Sequence, residues 1–224
     1  MIKKIALALV CSSIFVLSLG APAHAGTSTV TLVNGGSVTS NNGGVYVGPY
    51  NLTVNGQAVT APCDDYYDEI VAGESWQASV LPFTSAGVSS ALFGSDSNAD
   101  RLYLEAAYLT SLFSKDPTSD YNDIQYAIWG LFDPNALSSS NYDAGAAAFR
   151  NTANNASLSF GQFQGWEILT PVNGSQSQGG QPQEFLVAGT VSSTPEPASL
   201  LLLGTGLLGG GLLKRRQNRA RLQA

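Results

Sequence analysis

Two uncharged apolar runs, one near each end, set how much of this 224-residue chain is left to fold as a globular body. Near the start, Lys3 and Lys4 precede an uncharged run over residues 5–19, and Ala23-His24-Ala25 follows. Positive charge, apolar run and A-x-A in that order are the layout of a secretory signal peptide, and the run is shorter than the roughly 20 residues a membrane span needs. Cleavage is expected after Ala25, removing residues 1–25. Cys11, inside the run behind the bulky Val10, reads as apolar filler. Near the other end, residues 198–213 are apolar and lead into Lys214, Arg215 and Arg216, with Arg219 and Arg221 beyond. As a helix this stretch is about 24 Å long, less than a hydrocarbon core of roughly 30 Å. It reads as a weakly held membrane helix, with its basic end in the cytoplasm and the preceding residues outside. Between these ends, residues 26–190 suffice for one domain with its own core.

The apolar stretch is preceded by Pro195-Glu196-Pro197. Tripeptide, short apolar span and basic cluster, in that order over residues 191–224, resemble the PEP-CTERM sorting signal of Gram-negative bacteria that make extracellular polysaccharide. The resemblance implies an exported protein whose Pro195, Glu196 and Pro197 are read by a membrane-embedded exosortase. It also implies a transient anchor, cut near the tripeptide, and a place at the cell surface or in an exopolysaccharide matrix; the plainer alternative for the apolar stretch is a permanent single-span anchor.

Residue inventory narrows the chemistry of what is left. From Gly26 to Thr194 there are fifteen acidic side chains against Arg101, Lys115 and Arg150, a formal balance of −12. With no basic face to neutralise phosphates, nucleic acid is not an expected partner. The sole histidine, His24, leaves with the signal peptide, which removes the imidazole of a catalytic triad and of the common zinc sites. Cys63 is then the one remaining cysteine, so no disulfide can staple the domain. No cofactor is implied.

Residues 27–33, 44–54 and 57–61 are rich in Val, Thr and Tyr and are punctuated by Asn34-Gly35, Asn42-Gly43 and Asn55-Gly56. They read as strands joined by turns, Asn55-Gly56 being the strongest hairpin signal. Residues 75–81 read as a further strand. Leu102, Ala106, Leu109 and Phe113 then recur at helical spacing, predicting a helix over residues 100–114 that Asp116-Pro117 ends. A second helix is expected over residues 121–132, capped by Ser119 or Asp120, with Ile124, Ile128 and Leu131 on one face and Asp133-Pro134 as its stop. Residues 141–155 make a weaker, Ala-rich helix. Extended runs return at residues 164–170 and 184–191, separated by a polar loop over residues 173–183. The class expected is α+β: a β-rich body with two to three helices inserted, flanked by a signal peptide and a C-terminal membrane helix.

Cys63 follows a predicted strand, and about sixty residues later comes Ile124-Gln125-Tyr126-Ala127-Ile128-Trp129. This pairing resembles the thioester domains of bacterial surface adhesins, where a cysteine soon after a strand is joined to the glutamine of an apolar-Gln-x-x-apolar-Trp helix. Tyr-Leu-Glu-Ala-Ala-Tyr-Leu at residues 103–109 is similar to a helix of that family, and the likeness covers residues 58–133. It implies an internal thioester between Cys63 and Gln125 that a surface amine or hydroxyl opens, with Trp129 one helical turn from Gln125 as a shield. The family has an apolar residue after the cysteine, whereas here Asp64 follows, and a carboxylate there is expected to oppose ionisation of the thiol. The bland alternative is that Cys63, Gln125 and Trp129 only pack in a core.

Two acidic groups invite a calcium reading. Asp96-Ser97-Asn98-Ala99-Asp100 begins like a calcium loop, but Arg101 stands where the turn glycine belongs and Ala107 where the bidentate glutamate belongs. Asp64, Asp65, Asp68 and Glu69 form a cluster that reads as a solvated loop or a calcium site. A hydrolase would have to use carboxylates alone, and Glu69, Glu74, Glu105 and Glu167 cannot be paired from sequence. The leading expectation is therefore a non-enzymatic envelope or matrix protein sorted by its tail, with a covalent adhesin as the alternative.

Overall fold

In the computed structural model the described residues are 26–36, 38–41, 44–172 and 180–191. The expected signal peptide and C-terminal membrane helix, and the Pro195-Glu196-Pro197 tripeptide, lie outside them. Six antiparallel strands form one sheet in the order β3-β2-β1-β4-β5-β6: β1 Thr27–Asn34, β2 Tyr50–Val54, β3 Gln57–Ala61, β4 Ser75–Pro82, β5 Glu167–Pro171 and β6 Phe185–Val187. Asn55-Gly56 makes the β2–β3 hairpin, with both residues at positive φ (51° and 83°), as a tight turn between twisted strands requires. Along β1 the side chains of Ser28, Val30 and Leu32 are buried and alternate with more exposed neighbours, the period of a strand with one covered face.

The two edges of the sheet come together just past β3. Cys63 bridges Phe185 antiparallel, with Leu186 N–H donating to the Pro62 carbonyl and Asp64 N–H to the Glu184 carbonyl, both at 3.2 Å. The seam brings residues about 120 apart in sequence into register and curls the sheet around a core that includes Val30, Leu52, Trp76, Leu169 and Phe185.

The helices lie between β4 and β5, as an insertion: α1 Ser85–Val88, α2 Ala99–Leu112, α3 Tyr121–Phe132, α4 Pro134–Leu137 and α5 Ala144–Asn155. Asp143 caps α5 by accepting from Gly145 and Ala146 N–H, and Arg101 of α2 donates to the carbonyls of Ala153, Asn154 and Ala156 at its other end. Together these contacts satisfy backbone groups that a helix leaves open. A second core, with Leu109, Ile124, Ile128, Phe163, Ile168 and Leu186, joins the helices to the outer side of β5 and β6. α3 belongs to both cores. Its Ile124, Ala127, Ile128 and Leu131 face the helical layer, while Tyr126 and Trp129 join the sheet core.

Several boundaries move from those read in the sequence. β2 begins at Tyr50 rather than at residue 44, because Gly44 and Gly48 hold φ of 97° and 95° and Pro49 has no N–H to give a ladder. β5 begins at Glu167 because a 3-10 turn at Phe160–Phe163 and Gly165 (φ 77°) occupy the residues before it. β6 is reduced to three residues, and α5 starts at Ala144. Asp120 stands at the start of α3 without a side-chain capping bond; a 3-10 turn at Thr118–Asp120 leads into the helix instead. Among the described residues no helix is long and apolar enough to cross a membrane.

Candidate functional site

Cys63 occupies the seam, in the first extended residues after β3, and is fully buried with a free thiol. α3 runs beside it. Gln125 and Trp129, four residues apart, project from one face of that helix toward the seam. The Gln125 carboxamide donates through Nε2 to the Cys63 carbonyl at 2.7 Å, and its Oε1 accepts from Gly48 N–H at 3.3 Å. A carbonyl cannot donate and an N–H cannot accept, so these two partners settle which end of the amide is which. The Trp129 indole donates through Nε1 to the Cys63 Sγ at 3.3 Å. Tyr50, at the head of β2, lies within hydrogen-bonding reach of the same sulfur and donates to the Tyr46 carbonyl at 3.1 Å. The three residues singled out in the sequence thus meet at one place, and Gly48 and Tyr50 join them.

Burial pushes the Cys63 thiol up to about 12, against the opposing help of hydrogen bonds from Trp129 and Tyr50. Asp64 raises it further, but only as a lesser cause. The reason lies in strand geometry. Successive residues point to opposite faces, so Cys63 enters the sheet core while Asp64 faces the helical layer. There Asp64 is fully buried and meets Glu184, itself fully buried. Glu184 accepts from the Tyr103 hydroxyl, the Thr170 hydroxyl and Leu92 N–H. Among the described residues, neither Asp64 oxygen has a donor. Asp64 can satisfy itself only by carrying a proton and donating it to Glu184, and burial, with the Glu184 charge next, holds its pKa well above the usual carboxylate range. Sequence reading missed Glu184, whose signal is a charge at the mouth of the Phe185–Val187 strand.

The acidic loop after Cys63 is organised by Asp65, whose Oδ1 accepts from Tyr67 and Asp68 N–H at 2.9 and 3.2 Å and whose carbonyl accepts from Gln183 Nε2 at 3.0 Å. It sets the Tyr66 ring against Trp129, with centroids 5.3 Å apart. A cleft of about 200 Å³ opens here, lined by Tyr46, Tyr50, Tyr66, Asp68, Glu69 and Trp129. Tyr50 and Trp129, the two side chains beside the Cys63 sulfur, line this cleft, while Cys63 itself is fully buried.

Among the described residues, no group of three or more His, Cys, Asp or Glu could hold a metal ion. Asp64 turns inward, away from a shared site with Asp68 and Glu69. Asp96 accepts from Asn98 N–H and Asp100 from the Ser85 hydroxyl, which are local turn and helix contacts. Of the glutamates weighed for hydrolysis, Glu105 pairs with Arg101, Glu74 accepts from Val71 N–H and Glu167 from Val191 N–H.

No curated protein matches the chain. Among solved structures it is similar to the N-terminal domain of the Streptococcus pyogenes pilus tip adhesin Cpa, at 13% sequence identity over 77% of this chain and 97% of that one, with a TM-score of 0.42. Residues 193–217 match the PEP-CTERM protein-sorting motif, which implies an exported surface protein recognised at its C-terminus by an exosortase.

Proposed function

We propose that this is a surface protein that exosortase sorts through its tail and that attaches covalently to its target through a Cys63–Gln125 thioester. The observation that carries the reading is the clamped carboxamide: one helix face holds Gln125 against the Cys63 backbone and Trp129 against the Cys63 sulfur. In forming the bond, Sγ attacks the Gln125 side-chain carbonyl carbon, the C–N bond breaks, and the thiol proton leaves with the nitrogen as ammonia. In opening it, an amine or hydroxyl adds to the same carbon, a new amide or ester forms, and the proton returns to sulfur. No histidine is needed.

A thiol at about 12 is ionised in roughly one molecule in 10⁵ at neutral pH. A bond made once per molecule tolerates so small a fraction. Groups held in reacting geometry also have effective molarities of about 10⁵–10⁸ M. Burial beside an indole then protects the thioester from water, and a nucleophile would come from the cleft that Tyr50 and Trp129 line.

The deciding experiment is intact mass of the purified domain. One ammonia less than the sequence requires, with no alkylation of Cys63 until a small amine has opened the bond, is the expected result. Cys63→Ala and Gln125→Ala should each restore the full mass. A second reading is favoured by the complete burial of the thiol: Cys63 only packs, and the protein is a non-enzymatic component of an exopolysaccharide matrix. Full mass in the wild type, with Cys63 alkylated on denaturation alone, would select that reading.

A further inference from the structure

Gly48 has a backbone that its neighbours do not explain. It follows a short paired stretch, in which Val47 N–H donates to the Val38 carbonyl at 3.0 Å and Ser40 N–H to the Val45 carbonyl at 2.8 Å, and it precedes Pro49 and β2. Its φ of 95° lies in the left-handed region, and a Cβ there would sit 2.6 Å from Cδ2 of the Tyr121 ring. Both facts demand glycine. The N–H so placed is directed not to a strand partner but across to α3, where it meets Gln125 Oε1 in a buried contact 77 residues away in sequence.

Oε1 is the atom on which negative charge develops when a sulfur or a nitrogen adds to the carboxamide or thioester carbon. A fixed N–H at that oxygen is worth most in a dry site, because it is already oriented when the charge appears. The other groups around Gln125 and Cys63 divide the work consistently. The Cys63 carbonyl holds the departing nitrogen, and the Trp129 N–H lies at the sulfur, which is the nucleophile in one direction and the leaving group in the other. Among the described residues, Gly48 alone donates to the Gln125 oxygen.

Resting on the thioester reading, we propose that the Gly48 N–H is the electrophile-activating donor of this site, stabilising the oxyanion in both the formation and the opening of the Cys63–Gln125 bond. The left-handed turn before β2 is then part of the reactive machinery, and Gly48 is a catalytic residue through its backbone.

Replacing glycine by glycolic acid at position 48 of the full-length chain converts that one N–H into an ester oxygen and leaves φ and the empty Cβ position alone. The ammonia-loss rate after refolding and the rate of opening by methylamine should each fall about 100-fold, the usual effect of removing one such donor. Equal rates in a variant that forms the thioester would overturn the assignment while leaving the thioester standing. A wild type that never loses ammonia would sink both. Should the ester variant not fold, the carbonyl stretch of ¹³C-labelled Gln125 in the wild-type thioester decides the matter. A stretch below that of an alkyl thioester in hydrocarbon is expected, and one at the hydrocarbon value would refute the hydrogen bond.

Discussion

Asp64 follows the candidate nucleophile directly and yet belongs to another environment, sharing a buried site with Glu184, Tyr103 and Thr170, with no ion pair to either acid among the described residues. Burial raises the pKa of Asp64 and Glu184, and Asp65, partly offset by its backbone hydrogen bonds, is raised to about 7. A group whose folded pKa lies above its unfolded value stabilises the fold most at low pH and loses that contribution as pH rises through the folded value. The midpoint of thermal unfolding should therefore fall as pH rises from about 4, the unfolded carboxylate value, through 7. Asp64→Asn can still donate to Glu184 and cannot ionise, so melting curves from pH 5 to 8 should show a shallower slope than wild type and a higher midpoint at the alkaline end. An unchanged slope would mean that Asp64 is not the proton carrier. Because Asp64 faces Glu184 and raises the thiol only as a lesser cause, Asp64→Val should change the fraction of thioester far less than adjacency in the sequence suggests.

At the scale of elements, α3 is the part on which fold and site both depend. Read by its period it is an amphipathic helix with Ile124, Ile128 and Leu131 inward, but every residue from Ile124 to Leu131 is buried, since sheet core and helical core claim opposite faces. Truncation should be costly on both. Ile128→Ala is expected to lose about 2–5 kcal/mol and Trp129→Ala about 3–5 kcal/mol in urea denaturation. Leu102→Ala, on the half-exposed face of α2, should lose distinctly less. If Trp129→Ala proved as mild as Leu102→Ala, the indole would not be the packed shield described here. Trp129→Phe keeps much of the packing and removes the N–H from Sγ, so the Cys63 thiol freed by an amine should alkylate more slowly than in wild type at the same pH.

For the whole molecule, the sorting motif at residues 193–217 makes a topological prediction that does not depend on the thioester. Secreted material should begin at Gly26 and end near Pro195 to Pro197 when an exosortase is present. Terminal sequencing that found residues 214–224 on the secreted protein would defeat the processing half of that statement. Deleting the exosortase should retain the chain in the membrane fraction, read by fractionation and immunoblot.

Where information was local, the amino-acid order was enough. The Asn55-Gly56 hairpin, the spacing of Leu102 to Phe113, the prolines around α3 and the sorting tail each lie within a few residues of the atoms they act on, so propensity and motif expose them. Cys63 and Gln125 were legible as candidates because a helix displays Gln125 and Trp129 together by its own period. Their surroundings were not legible. Gly48 looked like the middle of a strand, and Glu184 like the polar start of one. Their roles come from the seam that joins Cys63 to Phe185 and from the turn that aims an N–H at α3. Nor could adjacency tell that Asp64 faces Glu184 rather than the thiol. Which carboxyl is buried, which proton it must hold and which donor meets the Gln125 oxygen are decided by packing between segments some 60 to 120 residues apart, because charge and hydrogen-bond energies depend on distances that only the closed tertiary structure sets.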